Sequence, residues 1–141
     1  MPKILVPVDG SECAHRALQE ALRLTPNGEG VEIHLLNVQP PVVSGHARMF
    51  LDKSELQSYY EDEAREPLQR AKAALGSASV PHTEAVRAGH AGETIAEYAK
   101  EHHCDYIVMG TRGLGEVAGM LMGSVARKVI HAATVPVMLV K

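Results

Sequence analysis

The chain has 141 residues, 45% hydrophobic and 22% charged, with a net charge of −3. That length suits one ordinary domain with a real core, and the composition is that of a globular protein. It carries no basic run of the kind a nucleic-acid binder uses, and only 4% of it is aromatic, too little for base-stacking platforms. No apolar stretch reaches membrane-spanning length. The opening Met1-Pro2-Lys3 runs directly into the short apolar segment Ile4-Leu5-Val6, which has no signal-peptide layout, so a cytosolic location is expected. Tryptophan is absent and Phe50 is the only phenylalanine, so the core has to come from Val, Ile, Leu, Ala and Met. Cys13 and Cys104 are expected to be reduced and structural, without a C-x-x-C partner.

In chain order, Lys3 to Val8 reads as a buried strand. Ser11 caps a helix running to about Leu24, with Ala14, Ala17, Leu18, Ala21 and Leu22 on one face. Pro26-Asn27-Gly28 ends it. Val31 to Val38 is a second strand, and residues 39–52 form a loop. Ser54 to Leu75 is a long amphipathic helix in which Pro67 predicts a kink or an interruption. Its run Glu61, Asp62, Glu63, Arg65 and Glu66 reads as a solvated face. Thr83 to Arg87 is a third strand, followed by a turn at 89–92 and a helix from Glu93 to His102. Asp105 to Met109 is a fourth strand, 110–122 a loop rich in Gly and Met, and Ser124 to Ala133 the last helix. Pro136 to Val140 closes the chain as a fifth strand.

Strands alternating with helices imply a parallel sheet covered on both faces. In such sheets ligands bind beyond the carboxyl ends of strands, where the strand order reverses. Two features stand at such ends: Asp9-Gly10-Ser11 after the first strand, and Gly110-Thr111-Arg112-Gly113 after the fourth. If those strands are neighbours, Asp9 faces the glycine loop across a crevice.

Three phosphate-binding patterns are worth testing on the glycine region. A P-loop is excluded, because Gly123-Ser124 has no lysine between the two residues. The dinucleotide fingerprint finds only a weak match in Gly113-Leu114-Gly115-Glu116-Val117-Ala118, which lies outside the first βα unit and has no later carboxylate to grip a ribose. The third is a two-part cradle, with Gly110 and Gly113 at a strand end and Gly123-Ser124 at a helix start. It presents backbone N–H groups to a phosphate with no Cβ in the way. The alternative is that these glycines only shape a long turn.

The spacing Gly110-x2-Gly113-x9-Gly123-Ser124 resembles the nucleotide-binding signature of the universal stress protein family. The opening Ile4-Leu5-Val6-Pro7-Val8-Asp9-Gly10-Ser11 is similar to that family's first strand and turn. Gly89-His90-Ala91 through Ile95 is similar to its third-strand turn, and Val135-Pro136-Val137-Met138-Leu139-Val140 to its last strand. The resemblance spans essentially the whole chain.

It implies a five-stranded parallel α/β sandwich, an ATP-type nucleotide, with Mg as a possible companion, and a homodimer formed through the last strand (Val137, Met138, Leu139, Val140). By position it implies that Pro7, Val8 and Asp9 line the adenosine side and that Val38 meets the adenine. Met109, Gly110, Arg112 and Gly113 would flank ribose and phosphates, and Gly123, Ser124 and Val125 would hold the phosphates. A carboxylate such as Asp9 can accept from ribose hydroxyls, and a helix N-terminus suits an anion. Arg112 could add charge-assisted contacts or simply face solvent.

His102-His103-Cys104 reads as structural or surface residues, since adjacent side chains do not converge on one face of a helix; no metal site is expected. His90 is expected at the surface. Met109, Met120 and Met122 could be adaptable pocket or interface residues; core packing is the default for Met109 and an alternative for the other two. No nucleophile–base pair and no paired carboxylates can be assigned. The expected function is therefore an ATP-binding regulatory module with an unknown protein client. The alternatives are a slow ATPase or phosphate- or adenylate-transferring enzyme, and a nucleotide-free interaction dimer.

Overall fold

A computed structural model describes residues 1–25, 30–42, 52–76, 80–114 and 122–141. The turn expected at Pro26-Asn27-Gly28, most of the 39–52 loop, Met120 and the stretch 115–118 of the weak dinucleotide match lie outside the described residues. The elements are β1 (Lys3–Pro7), α1 (Glu12–Arg23), β2 (Glu32–Gln39), α2 (Lys53–Leu75), β3 (His82–Ala88), α3 (Ala91–Glu101), β4 (Tyr106–Gly110), α4 (Ser124–Ala132) and β5 (Val137–Val140). They agree with the expected order throughout, with ends shifted by one or two residues.

The five strands form one sheet in the order β3-β2-β1-β4-β5, and every neighbouring pair is parallel. The chain builds outward from β1 to β3, then returns to the other side of β1 for β4 and β5. β1 and β4 are therefore neighbours, with Ile4 opposite Tyr106 and Leu5 opposite Ile107, and strand order reverses between them. The crevice expected from such a reversal has its two walls in place.

Alternation along the strands divides the core in two. Ile4, Val6, Ile33 and Leu35 face α1 and α2, meeting Ala17, Leu18, Ala21, Leu68, Ala71 and Leu75. Leu5, Leu36, Ile107 and Met109 face the other way, against Ile95, Tyr98 and Ala99 of α3 and Ala126 and Val129 of α4. Burying each large aliphatic side chain contributes about 1.5–3 kcal/mol, which fixes the faces on which the helices dock. The expectation of a purely aliphatic core needs correcting: Tyr60 and Tyr98 are buried in it, at 6% and 2% exposure. Tyr98 is accommodated because its hydroxyl has a partner 2.8 Å away, Nδ1 of the buried His34.

Helix α2 shows a second difference. It runs unbroken from Lys53 to Leu75 with Pro67 inside it, capped by the Asp52 carboxylate, which accepts from the Glu55 N–H at 2.7 Å. Proline there removes one backbone bond but does not end the helix. Packing of Tyr60, Ala64, Leu68, Ala71 and Leu75 holds both halves to the sheet. The residues from Glu61 to Glu63, with Arg65 and Glu66, are exposed as expected.

Candidate functional site

The crevice is built from strand ends. β1 stops at Pro7, but the Val8 N–H still donates to the Leu36 carbonyl at 2.8 Å, so the chain leaves the sheet only at Asp9. The Asp9 carboxylate then bonds in two directions. Its Oδ1 accepts from the Ser11 N–H at 2.9 Å, closing the turn before α1. Its Oδ2 accepts from the Leu114 N–H at 3.1 Å, reaching across to the glycine loop. Asp9 is thus a tie between the two strand ends, a role the sequence did not suggest.

On the β4 side, Thr111 does comparable work. Its N–H donates to the Val140 carbonyl at 2.9 Å, and its own carbonyl accepts from the Gly123 N–H at 2.7 Å. That second bond brings the start of α4 back to the end of β4 and so joins the two halves of the cradle. Thr111 was missed in the sequence, where it stands between the glycines with nothing to mark its carbonyl.

Two signature glycines have reasons internal to the protein. A Cβ on Gly110 would lie 2.8 Å from the Cys13 sulfur and 3.0 Å from the Cys13 carbonyl carbon, so this glycine lets α1 approach β4. A Cβ on Gly113 would lie 2.5 Å from Asp9 Oδ2, so this one makes room for the carboxylate tie. Gly123 caps α4 with extended backbone (φ −80, ψ 171) and, being glycine, has no side chain to satisfy the first N–H groups of the helix.

These residues enclose a cavity of about 90 Å³. Pro7, Val8, Asp9, Val38, Met109, Gly110, Arg112, Gly113, Gly123 and Val125 all line it, so the structure brings together every expected site residue but one. Ser124, the first residue of α4, is exposed and is not among the lining residues. Residues not foreseen also contribute: Leu36, Ala91, Ile95, Thr111 and Ala126 among them. Leu36 could have been found from Val38, since residues two apart on a strand share a face. Ala91 and Ile95 carry no such mark, because the pattern that places Ile95 in a helix's buried face does not say which part of the core it meets.

The cavity is two-sided in chemistry. Leu36 and Val38 of β2, Ile95 of α3 and Met109 of β4 make apolar walls. The glycine loop, Arg112 and the N-terminus of α4 bring backbone N–H groups and positive charge. Arg112 is partly exposed. Beneath the loop, the buried Cys13 thiol donates to the Val140 carbonyl at 3.1 Å. Burial pushes this thiol up, but hydrogen bonds from the Arg112 and Thr111 backbone and the Thr111 side chain outweigh it and hold it below the usual range.

Elsewhere the histidines and the second cysteine diverge. His102 stacks on Tyr98 at 4.0 Å between ring centroids, His103 is exposed, and Cys104 is buried, its thiol pushed up to about 11 by desolvation. No group of three or more His, Cys, Asp or Glu placed to hold a metal occurs among the described residues. His90 is exposed at the N-cap of α3. Met109 is buried, and Met122 is partly buried against the same core.

Comparison with known proteins agrees with this architecture. The universal stress protein MJ0531 of Methanocaldococcus jannaschii is 34% identical over 99% of this chain and 81% of its own. The solved structure of a second protein of that organism, MJ0577, superposes with a TM-score of 0.85 at 28% identity, covering 99% of this chain and 95% of that one. A universal stress protein solved in complex with cAMP matches at 25% identity and a TM-score of 0.66, over 99% and 95% of the two chains. The sequence model of the universal stress protein family matches residues 1–141 in full, and this chain belongs to that family.

Proposed function

We propose that the crevice between β1 and β4 binds an adenine nucleotide and that the protein acts as a nucleotide-binding regulatory module. The observation that carries this reading is the pairing of an apolar slot with a glycine-capped helix N-terminus in one cavity. Leu36, Val38, Ile95 and Met109 offer aliphatic surface to a planar base. Gly113, Arg112, Gly123 and Val125 suit ribose and phosphate, because an uncapped helix end favours an anion. The complex of a family member with cAMP supports the same ligand class. ATP, with Mg²⁺ accompanying its phosphates, is the specific nucleotide proposed. The chain's cytoplasmic location is part of the same reading; no described helix is long and apolar enough to cross a membrane.

The test is calorimetric titration of the purified protein with AMP, cAMP and ATP, the last with and without Mg²⁺. Mass spectrometry of whatever small molecule co-purifies goes alongside. Binding of at least one adenine nucleotide is expected; no heat with any of them and an empty extract would overturn the reading.

A second reading, an interaction dimer that keeps the glycine loop only as structure, is favoured by one observation. Gly110 and Gly113 are already required by Cys13 and Asp9. The same titration separates the two. A dimer is part of both. β5 is a sheet edge, and Met138 on it is 41% exposed. Pairing of this strand with its two-fold copy would cover the unpaired edge. Met138→Lys is expected to shift the protein toward monomer in analytical ultracentrifugation, and a wild type that is monomeric at tens of micromolar removes the dimer.

A further inference from the structure

Helix α2 lines no part of the crevice, yet it holds the turn from which Asp9 works. One Nη–H of Arg70 donates to the Gly10 carbonyl at 2.6 Å. Its second Nη pairs with the Glu12 carboxylate in the first turn of α1. Three residues earlier, the ring of Pro67 faces Gly10, whose added Cβ would lie 3.7 Å from the proline Cγ. The space there is ordinary; what demands glycine is its φ of +87, which lets the turn present its carbonyl to α2.

The Gly10 carbonyl and the Ser11 N–H are two ends of one planar peptide unit. Arg70 fixes the oxygen end, and Asp9 Oδ1 accepts from the hydrogen end at 2.9 Å. The other oxygen of the same carboxylate accepts from the Leu114 N–H at 3.1 Å. The orientation of one peptide plane therefore passes, through a rigid carboxylate, to the glycine loop.

We propose that Arg70 is a positioning residue for the candidate nucleotide site, clamping the Gly10–Ser11 peptide so that Asp9 ties the β1–α1 turn to the glycine loop. This rests on the nucleotide reading of the crevice. Arginine suits the task because its planar fork aims one nitrogen at the carbonyl and another at the carboxylate in fixed directions, whereas lysine has only rotatable donors on a single nitrogen. Removing the fork frees the peptide plane to rotate, and Asp9 then has to find the loop N–H without a fixed anchor. A loop that is no longer pre-organised binds its ligand more weakly, because ordering it draws on the binding energy.

The experiment compares wild type, Arg70→Met, Arg70→Lys and Arg65→Met. Arg65 lies on the same helix and pairs only with Asp62 among the described residues, so it controls for loss of charge on α2. AMP and ATP affinities are measured by calorimetry, and amide hydrogen exchange is followed at Ser11 and Leu114. Arg70→Met is expected to bind on the order of tenfold more weakly. It should exchange faster at Ser11 and Leu114, while core amides such as Leu5 and Ile107 keep their wild-type rates. Arg65→Met should match wild type, and Arg70→Lys should recover part of the loss. Unchanged exchange at Ser11 and Leu114 overturns the clamp, and full recovery by lysine overturns its two-acceptor form. Faster exchange with wild-type affinity overturns the positioning role. A wild type that binds neither nucleotide fails the underlying reading and takes the role with it; a wild type that binds, matched by Arg70→Met, fails Arg70 alone.

Discussion

Of the helices that begin at the crevice, α1 and α4 begin differently. α1 is closed: the Ser11 hydroxyl accepts from the Ala14 N–H at 3.1 Å, and Asp9 takes up the Ser11 N–H. α4 starts on Gly123, whose one N–H is spent on the Thr111 carbonyl and which has no side chain to turn back on the helix. Both ends carry the same partial positive charge. The first is satisfied by the protein itself and works as architecture. The second faces a cavity that Val125 and Ala126 help to line. A helix N-terminus is therefore informative about ligands through the residue at its cap, more than through its dipole.

The largest expected effect comes from giving α4 a cap like that of α1. Gly123→Asp supplies a carboxylate that can accept from the first turn and that repels a phosphate. Adenine-nucleotide affinity is expected to fall about 100-fold, roughly 2.7 kcal/mol, while the melting temperature holds or rises, since Asp is a better N-cap than Gly. Calorimetry and thermal melts on the same preparation check both halves. A folded Gly123→Asp protein that binds ATP like wild type would end the case for an anion at this helix.

The next effect falls on the tie between the two helix starts. Asp9→Ala removes the acceptor for both the Ser11 and Leu114 N–H groups. Nucleotide affinity is expected to drop by about 1.5–3 kcal/mol, the range for hydrogen bonds to a charged group. Each carboxylate oxygen retains a further lone-pair site, so a ribose hydroxyl can still be accepted. Titrating a deoxyribose analogue against both proteins separates the roles. If Asp9 touches the ribose, wild type discriminates against the analogue and Asp9→Ala does not; equal discrimination by both proteins reduces Asp9 to a tie.

Much of this was legible in the sequence, and the omissions have one cause. Helix and strand periods are local, so all nine elements among the described residues and the Ser11 cap could be read directly. The glycine spacing and the strand ends pointed to Asp9, Gly110, Gly113 and Gly123, which the fold does bring together. What was not legible depends on backbone carbonyls and on contacts between distant elements. The Thr111 carbonyl holding Gly123 leaves no trace in residue type, and neither does the Arg70 contact to the Gly10 carbonyl. Pro67 misled for the same reason. A breaker read locally suggests an interruption, but apolar contacts along the whole of α2 override it. Ser124 belongs to the expected cradle by its place beside Gly123 and by the family pattern, but it is exposed at the first turn of α4 and does not line the cavity.

A smaller effect is expected at the closed helix. Ser11→Ala leaves the Ala14 N–H without its acceptor and should cost about 1 kcal/mol of folding stability, as loss of an N-cap does. Urea denaturation measures it. A loss well below half that value would mean that the Asp9 turn alone closes α1, weakening the contrast with α4.

The smallest effect tests whether closure extends to the far end of the sheet, where His34 is buried on β2. Its Nδ1 is 2.8 Å from the Tyr98 hydroxyl, but its Nε2 has no hydrogen-bond partner among the described residues and stands 3.5 Å from a Glu32 oxygen. That oxygen already accepts from the Thr83 hydroxyl at 3.2 Å. Burial lowers the His34 pKa below its usual 6.5; Glu32 pulls it back, while His102 and Lys3 push it further down. The folded protein therefore resists protonation at a pH where the unfolded chain accepts it. Between the folded and unfolded pKa values the unfolded state binds more protons, so stability rises with pH in that window. The contribution of His34 is fully present above about pH 6.5, the value for an unperturbed histidine, and is lost as the pH falls toward the lowered folded value. His34→Gln cannot titrate, so its stability deficit relative to wild type should shrink as the pH drops from 7.5 to 5. Urea denaturation of the two proteins across that range reads the difference directly, which cancels the seven histidines they share. A deficit that stays constant with pH would mean that Glu32 fully offsets the burial of the ring, and that this end of the sheet is as well satisfied as the start of α1.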